Sequence, residues 1–311
     1  MTTRRIRAAL AVAMLAGLVA PASAQSPAGI PGVVAPSAEP ELLQQAFKFT
    51  EGPVGTGDGA LYFSDIRANR TYLLERGGKI SLVRENTNGG NGLALTKDGD
   101  LLTAEGDGKR ISRLGRDGTV RTVTDGFEGK PLLAPNDLIV DAKGGIYFTD
   151  PGPRPMVPGR IVYVYYLPPG AKEPIVIDDK IARPNGLTVT ADGKTLIVDD
   201  TIGNTVFAYD VQPNGTVANK RPFAELRDIP AGQESGADGL ALDRDGRVYI
   251  TTVKGIQVFD GSGQYLGTIA VARRPANVAF AGPAKRTLYI TAREGLYRLE
   301  LLAQGPARLG K

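Results

Sequence analysis

A phrase of about fifteen residues recurs six times along the chain, and each copy opens on an acidic or amide residue. The copies are Glu51–Asp65, Asn91–Glu105, Asn136–Asp150, Asn185–Asp200, Asp238–Thr252 and Asn277–Ala292. Their first residues are separated by 40, 45, 49, 53 and 39 positions. A repeat of this length with several strands in each unit is typical of a β-propeller. Six copies therefore predict six blades.

Each copy has the pattern of a β-hairpin followed by further strands. An apolar run such as Leu138-Ile139-Val140 comes first, a turn such as Asp98-Gly99 often follows it, and a second run alternates aromatic and β-branched residues. Asp-Gly favours tight hairpin turns because glycine accepts the positive φ that they need. Later stretches such as Gly203–Val211 bring each unit to about four strands. The predicted fold is all-β, a six-bladed β-propeller with four antiparallel strands per blade; a β-sandwich would not account for six equivalent units.

Composition divides the chain into four segments. Residues 1–24 fit a secretory signal peptide, with a basic start, an apolar run over Ala8–Ala20 and the cleavage pattern Ala22-Ser23-Ala24. Residues 25–45, rich in Pro, Ala, Gly and Ser, are predicted to be a flexible extension, although Glu41–Phe47 could form a helical turn or the first strand. The propeller is expected over 46–303 and a short tail over 304–311. We expect export to the periplasm, or secretion, by either the Sec or the twin-arginine route.

The chain contains no His, no Cys and no Trp. Ser-His-Asp and Cys-His mechanisms are therefore excluded, and so are zinc sites built from His or Cys. Any catalysis must use carboxylates, amides, Lys, Arg, Tyr or a metal held by oxygen. The predicted leader carries three Arg and no acid, so the rest of the chain is close to neutral. This balance does not favour nucleic acid or a membrane surface as a partner, and we expect a monomer that acts on a small molecule.

The first residue of every copy, here called its opener, carries a side-chain oxygen. In a propeller the innermost strand of each blade runs along the central channel, so these residues should converge on one axis. They are Glu51, Asn91, Asn136, Asn185, Asp238 and Asn277. A single Asn-Gly is a common turn dipeptide, but two carboxylates on one axis would repel each other unless a cation neutralised them. Hard divalent cations prefer such all-oxygen ligand sets, so the pattern predicts an axial metal.

Two further features surround these openers. Carboxylates end the second strand of four copies, and we expect them to accept hydrogen bonds from backbone amides at the tops of the blades: Asp65, Glu105, Asp150 and Asp200. Arg183-Pro184-Asn185 and Arg274-Pro275-Ala276-Asn277 form related loops before two openers. Proline there fixes the approach of the following Asn. The two arginines either lie solvated at the rim or contact a substrate.

Several phrases of the repeat resemble the gluconolactonase / senescence marker protein (regucalcin) family, of which diisopropyl fluorophosphatase is a relative. They are Glu51-Gly52-Pro53, Pro135-Asn136-Asp137 with Tyr147-Phe148-Thr149-Asp150-Pro151, Pro184-Asn185-Gly186 and Ala237-Asp238-Gly239. The resemblance covers most of residues 46–300, and the stretch from Asn136 to Pro151 is most similar to bacterial exported gluconolactonases. It implies a six-bladed propeller with one catalytic divalent cation at its centre. The expected cation is Ca²⁺, with Mg²⁺, Mn²⁺ or Zn²⁺ as alternatives.

The resemblance also implies roles for individual residues. The expected metal ligands are Glu51, Asn136, Asn185 and Asp238, where Asn136 matches a position that binds metal in some members and lines the substrate in others. The repeat itself adds further candidates. From their places in the ring and its entry loops, the residues expected to bind substrate are Asn91, Asn136, Asn277 and Arg183, and whether Asn91 and Asn277 contact the metal or only the substrate stays open. Two departures from the family pattern, Val54-Gly55 and Gly152-Pro153, fall at the pocket rim and bear on which substrate is bound.

The expected reaction is metal-dependent hydrolysis of a sugar lactone such as glucono-1,5-lactone. The cation would polarise the lactone carbonyl for attack by water, with Asp238 as the general base and a cation-bound hydroxide as the alternative. Two other functions stay open. One is a phosphotriesterase-like hydrolase that uses the same site, and the other is a secreted ligand-binding propeller with a structural metal, because a fold does not fix a function.

Overall fold

The computed structural model describes residues 29–307, which contain 26 β-strands and two short 3₁₀ turns. The first strand along the chain is β1 (Glu41–Gln44). Blade 1 consists of β2 (Thr50–Gly55), β3 (Leu61–Asp65), β4 (Arg70–Leu74) and β5 (Ile80–Glu85). Blade 2 consists of β6 (Gly90–Leu95), β7 (Leu101–Glu105), β8 (Arg110–Leu114) and β9 (Val120–Thr124). The small hairpin β10 (Gly126–Phe127) and β11 (Lys130–Pro131) follows.

The second half of the ring repeats this arrangement. Blade 3 consists of β12 (Leu138–Val140), β13 (Ile146–Asp150), β14 (Tyr163–Leu167) and β15 (Ile175–Asp178). Blade 4 consists of β16 (Pro184–Val189), β17 (Thr195–Asp200), β18 (Thr205–Val211) and β19 (Val217–Glu225). Blade 5 consists of β20 (Leu240–Leu242), β21 (Val248–Thr252), β22 (Gly255–Phe259) and β23 (Tyr265–Ile269). Blade 6 contains β24 (Asn277–Ala281), β25 (Thr287–Ala292) and β26 (Gly295–Glu300). The 3₁₀ turns are Ile66–Ala68 and Pro283–Lys285.

The six four-stranded sheets are antiparallel throughout, which confirms the predicted six-bladed β-propeller. Each innermost strand starts at the same face of the ring, here called the cavity face. Because neighbouring strands alternate in direction, the loop after each second strand returns to the cavity face. The turns that join the first strand to the second, and the third to the fourth, lie on the opposite face. Among residues 29–307, no helix is both long and apolar enough to cross a membrane.

The ring is closed by strands from the two ends of the described chain. Strand β1 pairs antiparallel with β26 and forms the outermost strand of blade 6, with Glu41 opposite Arg298 and Leu42 opposite Tyr297. The Arg298 Nε donates a hydrogen bond to Glu41 Oε2 at 2.8 Å. This pairing completes blade 6 with four strands and ties the two ends of the described chain together.

The flexible extension predicted over residues 25–45 is wrong for residues 29–40, whereas β1 confirms the alternative of a first strand within Glu41–Phe47. Besides β1, this segment buries Ile30, Val33 and Val34 in the apolar core between blades 5 and 6. The Val33 carbonyl also accepts a hydrogen bond from the amide of Leu302 at 2.9 Å. The local composition gave no sign of this packing, because only three apolar side chains are needed to anchor the segment in the groove between blades 5 and 6. The predicted signal peptide, and residues 308–311 of the tail, lie outside the described residues.

Aromatic side chains fill the spaces between blades. The largest fully buried side chains include Tyr147, Phe148, Tyr249 and Phe280. The rings of Tyr249 and Phe280 meet edge to face at 5.2 Å across blades 5 and 6. Burial of a large apolar side chain stabilises a fold by about 1.5–3 kcal/mol. Such packing supplies the cohesion of a chain that has no cysteine with which to form disulfides.

Candidate active site

The six openers converge at the cavity face, as the repeat predicts. Five of them line one cavity of about 430 Å³: Glu51, Asn91, Asn136, Asn185 and Asp238. Arg183, expected to bind substrate, lines the same cavity. Glu51, Asn91 and Asn185 lie within innermost strands, and Asn136 and Asp238 lie two residues before theirs. The five come from five different blades, so the closed ring brings together residues that are far apart in sequence.

The glycine after an opener allows neighbouring blades to approach closely. The amide of Gly239 donates to the carbonyl of Ala276 in the next blade at 2.7 Å. A Cβ at Gly239 would lie 1.8 Å from Cγ of Asn277, and one at Gly186 would lie 2.0 Å from the carbonyl oxygen of Asp238. The Asn-Gly and Asp-Gly pairs at the start of the copies, such as Asn185-Gly186 and Asp238-Gly239, therefore allow close contact between blades at the axis. They differ from the Asp-Gly pairs of the hairpin turns, such as Asp98-Gly99.

Two carboxylates occupy the centre of the site. The Glu51 Oε2 accepts hydrogen bonds from its neighbour Gly52 N at 2.6 Å and from Asn277 Nδ2 at 3.0 Å. Burial, together with the negative charge of Glu51, raises the pKa of Asp238 well above its usual range, while Arg274 acts in the opposite direction. A carboxylate pair of this kind requires a proton or a cation to reduce the repulsion.

Two amide oxygens beside the carboxylates have no hydrogen-bond partner within the described part of the chain. They are Asn91 Oδ1 and Asn185 Oδ1, and both atoms are buried. The Asn185 Nδ2 donates to Thr201 Oγ1 at 3.0 Å, which fixes the amide and leaves its oxygen uncommitted. A buried oxygen without a partner is costly. Two carboxylates with unpaired amide oxygens are the ligands that Ca²⁺ and Mg²⁺ prefer, so the residues fit such a cation.

The amides are needed for this fit. Among residues 29–307, no group of three or more His, Cys, Asp or Glu side chains could hold a metal ion without them. A search for acidic or histidine clusters alone would therefore overlook the site, whereas the register of the repeat finds it.

Asn277 has a different place from the other openers. It is 2% exposed and does not belong to the cavity lining. Its Nδ2 donates to Glu51, and its Oδ1 accepts from the amide of Val278 at 2.9 Å. The structure thus gives Asn277 a contact that orients Glu51, and the substrate contact expected from the sequence stays a prediction.

Asp199 is a buried carboxylate that the sequence reasoning missed. Its side chain is fully buried, and Oδ1 accepts a hydrogen bond from Gly186 N at 3.0 Å. The Oδ2 atom has no hydrogen-bond partner among the described residues. Burial raises the pKa of Asp199 well above its usual range, and the charge of Asp238 adds to this effect. The sequence signal that could have revealed it is the pair Asp199-Asp200 at the end of β17. The repeat pattern marked only Asp200.

The acids that end the second strands hold the loops in front of the openers, as predicted for three of the four. Asp65, Asp150 and Asp200 accept backbone hydrogen bonds at 2.7–3.0 Å. The donors are the amides of Lys48 and Phe49 for Asp65, Leu133 and Ala134 for Asp150, and Arg183 for Asp200. Each of these loops leads into an opener two or three residues later, so these carboxylates help to position the site.

Glu105 is the exception, because side chains satisfy it. It is fully buried and accepts from Arg84 Nη2 at 2.6 Å, Arg110 Nε at 2.8 Å and Ser112 Oγ at 2.5 Å. Burial alone would raise the pKa of Glu105, but the hydrogen bonds from Arg110, Ser112, Asn88 and Arg84 together lower it.

We expect Glu105→Gln to lower the free energy of unfolding by about 3 kcal/mol at pH 7, because it leaves the buried Arg84 guanidinium without its counter-charge. The folded pKa is lowered, so this stabilisation is present above the unfolded value near 4.5 and is lost as the pH falls through the folded value. Urea unfolding at pH 7 and near pH 4 measures both effects.

The matched control is Glu85→Gln, which removes a carboxylate from the exposed Arg70–Glu85 pair at 2.9 Å. Exposed pairs contribute only about 0–1 kcal/mol. Equal losses of stability in the two variants would show that the Glu105 contacts do not stabilise the fold in the way described.

The comparisons with known proteins agree with this geometry. The family model for the SMP-30/gluconolactonase/LRE-like region matches residues 49–294. The chain belongs to this family. Its matched region runs from the loop before Glu51 to the loop after β25, and thus includes all six openers.

Individual relatives of the family support the assignment. A gluconolactonase from Zymomonas mobilis is 27% identical over 288 residues, which cover 83% of this chain and 80% of that protein. A solved gluconolactonase from Xanthomonas campestris is 29% identical with a TM-score of 0.76, covering 85% of this chain and 90% of that one. A regucalcin from Agrobacterium tumefaciens, described as a calcium-binding protein, shares the fold with a TM-score of 0.74 at 19% identity, covering 88% of this chain and 98% of that one.

The cavity also contains residues outside the motifs that mark the family in this sequence. They come from loops at the cavity face, after second strands or before innermost strands. They are Phe49, Arg67, Arg154, Glu234, Arg274 and Arg293. Of these, only Arg274 was named from the sequence, as a rim charge or a substrate contact. The others lie in loops that share no repeated pattern, although their positions next to strand ends could have marked them.

Proposed function

We propose that this protein hydrolyses a sugar lactone to the corresponding aldonic acid, with one divalent cation held at the centre of the propeller. The observation that carries the proposal is the pair of central carboxylates with two unpaired amide oxygens beside them. The family membership supports the reaction class, because relatives that match most of this chain are named gluconolactonase. We further propose that residues 1–24 direct export and are removed by cleavage, and that the protein acts as a monomer.

The cation would be held by Glu51, Asp238 and the amide oxygen of Asn185, with Asn136 and Asn91 as further donors at the same cavity. Ca²⁺ is our first choice, because carboxylate and amide oxygens suit a hard ion. When bound, it would supply Lewis-acid polarisation of the lactone carbonyl and stabilise the oxyanion that develops there. Asn277 orients Glu51 for this role through its 3.0 Å hydrogen bond.

We assign the proton transfer of the reaction to Asp238. Unlike Glu51, it is partly exposed, and it lines the cavity in which a lactone and a water molecule would meet. A carboxylate oxygen of Asp238 would accept a proton as the water oxygen bonds to the carbonyl carbon. The ring C–O bond then breaks, and the departing ring oxygen takes up that proton to give the hydroxy acid. Thr201 fixes the amide of Asn185 and Asn277 fixes the carboxylate of Glu51, which reduces the reorganisation that this step needs.

The test is hydrolysis of glucono-1,5-lactone by purified protein that has been stripped of metal and then titrated with Ca²⁺, Mg²⁺, Mn²⁺ or Zn²⁺. We expect no enzymatic rate without metal, and a saturable rate together with a raised Tm when one cation is added. Acid release measured with a pH indicator gives the rate, and differential scanning fluorimetry gives Tm.

Two results would contradict the proposal in distinguishable ways. Faster turnover of paraoxon than of any lactone would favour a phosphotriesterase-like hydrolase at the same site. A cation that raises Tm without supporting hydrolysis of any lactone would favour a ligand-binding propeller with a structural metal.

A further inference from the structure

The cavity carries more positive than negative side chains. Five guanidinium groups line it, against the three carboxylates of Glu51, Glu234 and Asp238. One of the five is paired, because Arg154 Nη2 lies 2.8 Å from Glu234 Oε2. The other four have no carboxylate within 4.0 Å among residues 29–307: Arg67, Arg183, Arg274 and Arg293. A cation at the centre would make the cavity more positive still.

Arg183 is the least ordinary of the four. It is 6% exposed, and within the described part of the chain its guanidinium donates only to the backbone carbonyls of Pro151 and Gly152, each at 3.2 Å. A buried charge without a counter-charge is unfavourable for folding. Its presence in the cavity wall therefore indicates a role in binding rather than in stability.

The other unpaired arginines are held close together at the cavity mouth. The guanidinium carbons of Arg67 and Arg293 lie 5.2 and 5.3 Å from the centre of the Phe49 ring, so one ring orders two like charges. Arg274 Nη2 donates to the carbonyl of Gly236 at 3.4 Å. Burial lowers the pKa of Arg274, and the charge of Arg293 adds to this effect. Like charges at such spacing repel each other unless an anion lies between them.

These arginines lie in the same cavity as the hydrolytic centre. Arg183, Arg274 and Arg293 line it together with Glu51 and Asp238. A ligand that contacts the central carboxylates would therefore lie next to the guanidinium groups. Glucono-1,5-lactone carries no charge and would leave all four without a counter-ion.

We propose, on the basis of the hydrolytic function proposed above, that the substrate is an anionic lactone whose carboxylate or phosphate group is bound by Arg183, Arg274 and Arg293. Guanidinium groups bind both anions through paired, charge-assisted hydrogen bonds. The surplus of positive charge also attracts an anion from solution and speeds its association at low ionic strength. The two anions share this chemistry, and matched substrates distinguish them.

The experiment compares two matched pairs of lactones under saturating cation. D-glucaro-1,4-lactone differs from D-glucono-1,4-lactone by a carboxylate in place of a hydroxymethyl group, and 6-phospho-glucono-1,5-lactone differs from glucono-1,5-lactone by a phosphate. We expect kcat/KM to be at least about tenfold higher for the anionic member of one pair at low salt, and the ratio to fall as salt is added. The pair with the larger ratio identifies the anion.

The variants Arg274→Gln and Arg293→Gln, singly and together, test which residues carry the preference. We expect the ratio of anionic to neutral kcat/KM to fall in each single variant and to fall further in the double variant, in which Arg183 alone of the three remains. The matched control is Arg76→Gln, because Arg76 is exposed in the turn between β4 and β5 on the opposite face and should leave the ratio unchanged.

Equal kcat/KM within both pairs, or a preference of undiminished size in the double variant, would overturn the proposed anion site while leaving lactone hydrolysis intact. If none of the four lactones is hydrolysed, the proposed function fails, and the same compounds serve as ligands. A larger Tm shift with the anionic member would then still support the anion site, whereas equal shifts would refute it.

Discussion

Asp238→Asn lowers kcat for glucono-1,5-lactone by about a thousandfold at saturating cation, which is the expected effect of removing a general base. Asparagine keeps the size of the side chain and can still offer an oxygen, but it cannot accept the proton of the attacking water. Initial rates across a full cation titration separate this loss from weaker metal binding. Glu51→Gln should lower turnover by a similar factor, because it removes one of the two central negative charges.

The substitution Asp238→Asn should not destabilise the metal-free protein. The folded pKa of Asp238 is raised, so its ionisation costs stability once the pH is above the unfolded value near 3.8. Asparagine removes that cost, and we expect its Tm at pH 7 to equal or exceed that of the parent protein. The advantage should shrink as the pH falls through the raised folded pKa toward the unfolded value near 3.8, because Asp238 is then protonated in both states.

Asp245→Asn is the matched control, since it makes the same change in the same blade. Asp245 is exposed in the turn between β20 and β21, on the face opposite the cavity. Turnover should stay within about twofold of the parent, as is usual for surface substitutions. An Asp238→Asn protein that keeps full turnover at saturating cation would refute the assignment of Asp238 as the base.

The parts of the fold that repeat are the parts that the sequence could predict. Six copies of one phrase indicated six blades, and the opening residue of each copy indicated the axis where five of the six line the cavity. Closure by β1 could not be found in this way. Its partner β26 lies about 250 residues later, and nothing in the local composition of Glu41–Gln44 specifies which strand edge it joins.

The parts of the site that break the repeat were harder to predict. Arg67, Arg154 and Arg293 come from loops that differ in length and composition from blade to blade, so no register links them. Asn277 has the expected register, but it turns its amide toward Glu51 because the neighbouring blade approaches at Gly239. Such differences between equivalent positions arise from packing around the ring, which a repeat pattern averages out.

Deleting all residues before Ala46 should unfold the propeller or bring it close to unfolding at 25 °C. The deletion removes β1 and the buried side chains of Ile30, Val33 and Val34. Each buried side chain contributes about 1.5–3 kcal/mol, and the net stability of a domain is only about 5–15 kcal/mol. Blade 6 would also be left with β26 as an unpaired edge. Urea unfolding and Tm, compared with a protein that begins at residue 29, measure the loss.

A second truncation separates the two contributions. A protein that begins at residue 39 keeps β1 but lacks the segment that packs between blades 5 and 6, and it should lose only part of the stability. Activity should fall together with stability, because blade 6 carries Asn277 and hence the orientation of Glu51. If the protein that begins at Ala46 keeps the Tm of the longer one, closure by β1 does not stabilise the ring. The geometry of the catalytic centre would then depend on the six blades without it.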